Sequence, residues 1–207
     1  QKTYKLYIDG KFPRTESGRY IKWESKDKST IINICRGSRK DFRNAMVSAR
    51  KAFLGWSSRT AYNRAQILYR IGEMLEGRRE QFMAELILQG SNKKNAEIEI
   101  NQSIDCLIYY AGWADKYQQI FSRVNPVSQP YFNFTTCEPT GVVSAIATND
   151  SSLLGLISII SPIIAGGNSL VVLASEELPI CSITFGEVLH TSDVPSGVVN
   201  ILTGKRK

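Results

Sequence analysis

Apolar positions along this chain follow two periods, and the clearest run of them lies between Pro139 and Glu176. Val142 to Ala147 is an apolar stretch too short for a helix, and it predicts a buried strand. Thr148-Asn149-Asp150-Ser151-Ser152 follows, a polar cluster rich in the residue types that cap helix N-termini. Leu153 to Ile164 is apolar at helical length, and Gly166-Gly167-Asn168 closes it with residues that tolerate positive φ. Ser169 to Ala174 predicts a second apolar strand. A strand, a helix and a strand of this kind predict a βαβ unit buried on both faces, within a parallel sheet covered by helices. Ligands of such sheets bind beyond the carboxyl ends of the strands. Those ends are Ala147 to Asp150 and Leu173 to Glu176.

The flanking patterns fill in the rest of an α/β chain. Tyr4 to Ile8 predicts a first strand, turning at Asp9-Gly10, and Thr30 to Cys35 predicts another. Ser38 opens a helix with Asp41 three residues on, a capping box, and Phe42, Ala45, Met46, Ala49 and Phe53 form its apolar stripe. Thr60 caps a second helix whose inner face is Ala61, Ala65, Leu68, Ile71 and Leu75. Gly77-Arg78 breaks it, and Glu80 to Gln89 forms a third with Phe82, Leu86 and Ile87 inward. The longest helical pattern, Asn95 to Gln119, puts Ile100, Ile104, Leu107, Ile108 and Ala111 on one face. Phe121 to Glu138 then changes character: Pro126 and Pro130 precede the alternating, β-prone Tyr131 to Cys137. An aromatic edge strand is a liability unless covered, which favours a partner over a bare hairpin. Leu178-Pro179 opens a helix running to His190, and Gly197 to Leu202 predicts a third strand.

Composition narrows the function classes. The chain has 207 residues, 43% of them hydrophobic and 22% charged, the balance of a globular domain with an adequate core. Gln1 to Gly10 is polar and does not fit a secretory signal, and no apolar run is long enough to span a bilayer, so no membrane partner is expected. Cys35, Cys106, Cys137 and Cys181 are scattered and have one His to join them, so reduced core thiols in a cytoplasmic protein are expected and no metal site. The net charge of +7 raises the possibility of nucleic acid. Its basic residues are dispersed over Arg39-Lys40, Arg78-Arg79, Lys93-Lys94 and Lys205-Arg206-Lys207 without an aromatic binding motif, so a solvated surface is expected and no nucleic-acid partner.

Several stretches together resemble the aldehyde dehydrogenase superfamily, in its N-terminal, NAD-binding part. They are Pro139-x-Gly141-Val142-Val143, Leu154-Gly155-Leu156, Pro162-Ile163-Ile164-Ala165-Gly166-Gly167-Asn168, Ser175-Glu176, and Pro195-Ser196-Gly197 through Thr203-Gly204. Upstream, Lys5 to Phe12, Ala49-Arg50-Lys51-Ala52-Phe53-Leu54-Gly55-Trp56, the Arg64, Leu68 and Leu75 helix, and Tyr109 to Lys116 resemble the same family, while Gln89 to Lys94 keeps only the outline of its Glu-Thr/Ser-Gly-Lys-Pro run. The resemblance implies an α/β fold: a partial doubly wound, parallel, Rossmann-like sheet with N-terminal helices and a β-hairpin oligomerisation arm. It divides the chain into N-terminal strands and helices of the cofactor domain (1–120), the arm (121–138) and the first half of the dinucleotide-binding fold (139–207).

What the resemblance implies for chemistry is mixed. It points to NAD, with Ala147, Thr148, Ser175 and Glu176 on the cofactor side and Glu176 accepting from a ribose hydroxyl. The family's Lys that contacts the ribose is Leu173 here, which implies a weakened NAD site. Its oxyanion-stabilising Asn is Asp150, a carboxylate where a donor is needed. Its Gly-x-Gly after the third strand is Gly204-Lys205-Arg206. Residues 1–207 are expected to lack the nucleophilic Cys and general-base Glu, so aldehyde would be a substrate only together with a missing catalytic half. Bland readings stand beside these: Asp150 and Ser152 as caps of the following helix, and Leu173 as the end of a buried strand. Two functions remain beside a nucleic-acid-binding module, which rests on net charge alone. One is the N-terminal part of an NAD(P)-dependent aldehyde dehydrogenase. The other is a non-catalytic relative acting in assembly, as a homo-oligomer or with a homologous subunit through 121–138, or in weak nucleotide binding.

Overall fold

The computed structural model describes residues 3–26 and 28–206. Two three-stranded sheets and seven helices account for most of them, with a separate hairpin. The N-terminal sheet takes β1 (Thr3–Tyr4), β2 (Tyr20–Glu24) and β3 (Ile31–Cys35) in the order β1-β3-β2, with β1 parallel and β2 antiparallel to β3. The predicted strand from Tyr4 to Ile8 is cut short. After Tyr4 the chain leaves this sheet, and Tyr7 instead exchanges backbone hydrogen bonds with Ile201, at 3.0 and 2.8 Å. The turn at Asp9-Gly10 is present, both residues having positive φ.

Helix α1 (Arg39–Ser57) begins as its capping box dictates: the Ser38 hydroxyl accepts from the Asp41 N–H, and the Asp41 carboxylate accepts from the Ser38 N–H at 2.7 Å. Burial works against ionisation of Asp41. Hydrogen bonds from Thr15, the Glu16 N–H and Ser38 outweigh it and hold the carboxyl below its usual value. The inner face of α1 differs from the predicted stripe. Ala45, Ala49 and Trp56 are buried, whereas Phe42 is exposed beside an open groove.

Helices α2 (Ala61–Glu76), α3 (Arg79–Leu88) and α4 (Lys93–Trp113) pack on one another through α4 and on the helices of the last third of the chain. Leu68, Ile71, Leu75, Phe82, Ile100 and Leu107 form their common core with residues of the sheet helices. Ile87 and Ile108, predicted inward, face outward, because a single helical stripe is too narrow to bury both them and their neighbours Leu86 and Leu107. The long helix predicted to Gln119 breaks at Ala114-Asp115, and α5 (Lys116–Phe121) continues after it. Strands β4 (Arg123–Asn125) and β5 (Asn133–Thr135) pair antiparallel as the predicted hairpin.

The last third is the predicted βαβαβ run: β6 (Val142–Ile146), α6 (Leu154–Ala165), β7 (Ser169–Leu173), α7 (Ile180–His190) and β8 (Val199–Leu202). All three strands are parallel, in the order β6-β7-β8. Strands β7 and β8 are buried nearly throughout. The expectation that β6 is buried on both faces is corrected: Ile146 is 62% exposed. Strand β6 lies at the sheet edge, and the contacts of α1 with β6 are fewer than with β7, so the end of β6 stays open.

Polar donors from two other helices close the far end of α6. The Trp56 indole N–H donates to the Ile164 carbonyl, and Arg64 Nε donates to Ala165, each at 3.0 Å. These carbonyls belong to the last helical turn, which lacks the full set of intrahelical donors and carries the negative end of the dipole; Ile164 also accepts from the Gly167 N–H at 3.0 Å. Gly167 follows at φ +82°, and a Cβ there would come within 2.9 Å of Pro139.

Candidate functional site

Three loops meet at the carboxyl end of the β6-β7-β8 sheet: 147–152 after β6, 174–179 after β7 and 203–206 after β8. The first two are stitched together. The Ser175 hydroxyl donates to Asn149 Oδ1 at 2.9 Å and accepts from the Leu178 N–H at 3.0 Å, while Asn149 Nδ2 donates to Glu177 at 3.3 Å. The Ser152 hydroxyl donates to the Leu178 carbonyl at 2.8 Å and accepts from Gln89 Nε2 at 2.9 Å. Gln89 Oε1 in turn accepts from the Ile180 N–H at 3.0 Å. A third anchor comes from α4: Glu99 Oε1 accepts from the Ser151 hydroxyl at 2.8 Å and from the N–H groups of Leu153 and Leu154 at 2.8 and 3.2 Å. The cap of α6 is therefore Glu99 with Ser151, whose hydroxyl accepts from the Gly155 N–H at 2.9 Å. Asp150 and Ser152, the caps considered from sequence, are engaged elsewhere. Gly155 also lets α6 approach the loop, since a Cβ there would sit 2.5 Å from the Thr148 methyl.

Two concavities flank these loops. A groove of about 360 Å³ opens on the α1 side, walled by Phe42, Ile146, Leu173, Leu202, Gly204 and Lys205. Its floor is the carboxyl half of the sheet that α1 leaves uncovered. A separate polar cleft of about 350 Å³ is lined by Lys26, Glu99, Asp150, Ser152 and Glu177 among others.

The residues singled out from sequence are distributed over this geometry. Ala147 is buried, and its carbonyl accepts from the Arg206 guanidinium. Thr148 donates to Asp150 Oδ2 at 2.6 Å and accepts from the Asp150 N–H at 3.1 Å, a closed local turn. Asp150 is exposed and lies on the polar cleft, apart from the groove. Ser175 is fully buried and its hydroxyl is taken up by Asn149 and Leu178, so it shapes the loop. Glu176 is half-buried, its Oε2 accepting from the Arg206 N–H at 3.0 Å. Sequence reasoning missed Glu99, Gln89 and the groove-lining Phe42. Glu99 did carry a signal, as an acidic residue next to the core-facing Ile100 on a helix otherwise read only for its apolar face.

The thiols add no nucleophile at this end of the sheet. Cys181 is buried beside Gln89, and burial first, then the Glu85 carboxylate, push its thiol well above the ordinary range. Burial also raises Cys106. A thiol held protonated is a poor nucleophile. Among the described residues no group of three or more His, Cys, Asp or Glu could hold a metal ion, and no helix is long and apolar enough to cross a membrane.

A parallel β6-β7-β8 sheet with α1 on one face, α6 and α7 on the other, and an open crevice past its strand ends is one half of a dinucleotide-binding fold. Comparison with known proteins narrows that class. The aldehyde dehydrogenase family profile matches residues 13–207, and the chain belongs to that family, covering its N-terminal region. It is 30% identical over 202 residues to an aldehyde dehydrogenase of Aspergillus niger, covering 96% of this chain and 40% of that protein. It is 31% identical over 206 residues to a mitochondrial benzaldehyde dehydrogenase of Antirrhinum majus, covering 97% of this chain and 38% of that protein. The chain thus spans about two fifths of the length of these curated relatives. Among solved structures, the NAD+ complex of an aldehyde dehydrogenase from Bacillus cereus superimposes with a TM-score of 0.92 at 26% identity, covering 98% of this chain and 42% of that one. An NAD-dependent aldehyde dehydrogenase from Sinorhizobium meliloti gives 0.91 at 25% identity, over 98% and 41%.

Proposed function

We propose that this chain forms the cofactor-side, N-terminal part of an NAD-dependent aldehyde dehydrogenase and binds the adenosine half of NAD in the groove at the carboxyl ends of β6, β7 and β8. The groove itself carries this reading. It lies where ligands of parallel sheets bind, and its walls at Ile146, Leu173 and Leu202 are apolar enough for a purine; the Glu176 carboxylate stands in the loop after β7, on a neighbouring crevice that shares Thr203 and Gly204 with the groove. A carboxylate has acceptor capacity beyond the one bond from Arg206, so Glu176 fits a ribose hydroxyl. Ala147 and Thr148 form the turn beneath the cofactor, and Ser175 holds that turn to the β7 loop. The cofactor, when bound, supplies the hydride acceptor. The thiol that would attack an aldehyde and the carboxylate that would take a proton from that thiol or from the hydrolytic water are expected in the family's further segments, outside residues 1–207.

Leu173 should weaken this site, having no charged donor for the ribose. A hydrogen bond to a charged group contributes roughly 1.5–3 kcal/mol, about tenfold to a hundredfold in affinity. Leu173 is only partly buried, at the open end of β7, so Leu173→Lys can keep its ammonium in the groove mouth. Calorimetric titration with NAD should show the variant recovering part of that factor. Equal affinities, or tight binding by the parent chain, would remove Leu173 from the ribose position.

A second reading is favoured by the hairpin and by Asp150, which stands at the family's oxyanion position as a carboxylate: a non-catalytic subunit acting in assembly. Tyr131, Phe132 and Phe134 are 77%, 73% and 60% exposed, and Val124 lies outward beside them. The β4-β5 hairpin presents these residues to a second copy or a homologous subunit. Light scattering is expected to show a species of at least twice the chain mass, reduced to monomer by Phe134→Glu. A parent chain that stays monomeric at high micromolar concentration, and captures no homologous subunit, would leave an ordinary hairpin.

A further inference from the structure

Several cations around the other helices are paired, as Arg70 is with Glu73, Arg78 with Glu187 and Arg79 with Glu76. Helix α1 departs from that pattern. It carries Arg39, Lys40, Arg43, Arg50 and Lys51 against one acid, Asp41, which is buried in the capping box. Among the described residues, Lys40 alone of these five has an ion pair, with Glu16 at 2.8 Å. Ala45, Ala49 and Trp56 fix the inner face of α1, and the helical period places Arg39, Arg43, Val47, Arg50, Lys51 and Leu54 on the opposite side. All six are exposed, Val47 at 64% and Leu54 at 75%. From Arg39 to Leu54 this stripe runs about 22 Å along the helix axis. It is a cationic ridge with two apolar side chains set into it and no exposed carboxylate on the helix.

We propose that the outer face of α1 is a docking surface for an anionic phospholipid bilayer. Charge complementarity selects the partner: guanidinium groups without a carboxylate of their own match the phosphate oxygens of lipid headgroups, and each cation near such a surface adds to the attraction. The apolar positions decide between a bilayer and a nucleic acid. Val47 and Leu54 stand between the cations, where a sugar-phosphate backbone has nothing to cover them and the acyl boundary beneath the headgroups does. A ridge also meets a flat surface without needing a shaped pocket. The contact is peripheral, because the inner face of α1 stays committed to Val171 and Leu202 of the sheet. None of the six residues lines the groove, whose α1 wall is Phe42, so lipid and nucleotide occupy different sides of the helix.

The test is co-sedimentation of the whole chain with vesicles of phosphatidylcholine, with and without about 30% phosphatidylserine. The chain is expected to bind the anionic vesicles alone, and to be released as added salt shortens the screening length. Removing two cations together, Arg43→Gln with Arg50→Gln, should weaken that binding about thirtyfold. Leu54→Ser should weaken it severalfold with no change of charge. All three positions are exposed, so the variants should fold, as circular dichroism and urea unfolding can verify. No binding to anionic vesicles at low salt, or binding undiminished in the double variant, would overturn the assignment. Duplex DNA bound more tightly than the vesicles, with Leu54→Ser leaving both unchanged, would overturn it in favour of a phosphate-backbone surface.

Discussion

Mixed with NAD and a panel of aliphatic and aromatic aldehydes, this chain is expected to form no NADH. Aldehyde oxidation through a thiol needs a thiolate, a base to regenerate it and a donor for the oxyanion. Cys35 and Cys181 are buried, and burial also holds Cys106 and Cys181 in the protonated form. Cys137 lies at the root of the hairpin, where its carbonyl accepts from Gln118, before the amino end of β6 and outside the loops at the carboxyl ends of the strands. Asp150 offers a carboxylate on an exposed turn, and if it takes the place of the family's Asn, as the resemblance implies, it would repel the oxyanion. The check is NADH absorbance over a heat-treated control, and a rate above that control would show that residues 1–207 hold a complete catalytic set.

Trp56→Ala is expected to cost about 3–5 kcal/mol, out of the roughly 5–15 kcal/mol that ordinarily separates folded from unfolded domains. The ring is fully buried among the helices, so its removal leaves a cavity that close-packed neighbours cannot fill. It also takes the donor from the Ile164 carbonyl at the closed end of α6. Trp56→Phe separates the two effects: most of the volume stays, and the Ile164 carbonyl loses its side-chain donor while keeping the Gly167 N–H at 3.0 Å, for about 0.5–1.5 kcal/mol. Urea unfolding measures both. A midpoint for Trp56→Ala corresponding to less than about 1 kcal/mol of loss would mean that α1 does not brace the sheet helix as described.

The pattern of apolar residues was sufficient for the sheet that carries the site. Val142 to Ala147, Leu153 to Ile164 and Ser169 to Ala174 each have one period and a clear end, and each became the element read from it to within a residue or two. The capping box at Ser38 and Asp41 was legible for the same reason, being a contact three residues apart. Strand β2 was not, because Tyr20 to Glu24 alternates Lys and Glu with Ile and Trp at a half-exposed edge, and charged strands give little signal. The outward Phe42 and open β6 depend on how far α1 runs over the sheet, which no local window contains. Contacts such as Glu99 with Leu153, Arg64 with Ala165 and Arg206 with Ala147 join residues 54, 101 and 59 positions apart. Each is a polar side chain satisfying backbone groups at an end of α6 or β6. The need for such a partner can be read from sequence, but its identity is set by packing.

The account turns on the groove being the nucleotide site, and mapping backbone amide shifts during titration with NAD tests this most directly. The predicted result is a cluster of shifted resonances at Gly37, Ser38, Ala145, Leu173, Gly204 and Lys205. Shifts confined to another concavity, such as the one between α2 and α4 around Tyr62 and Gly112, or no shifts at millimolar NAD, would contradict it.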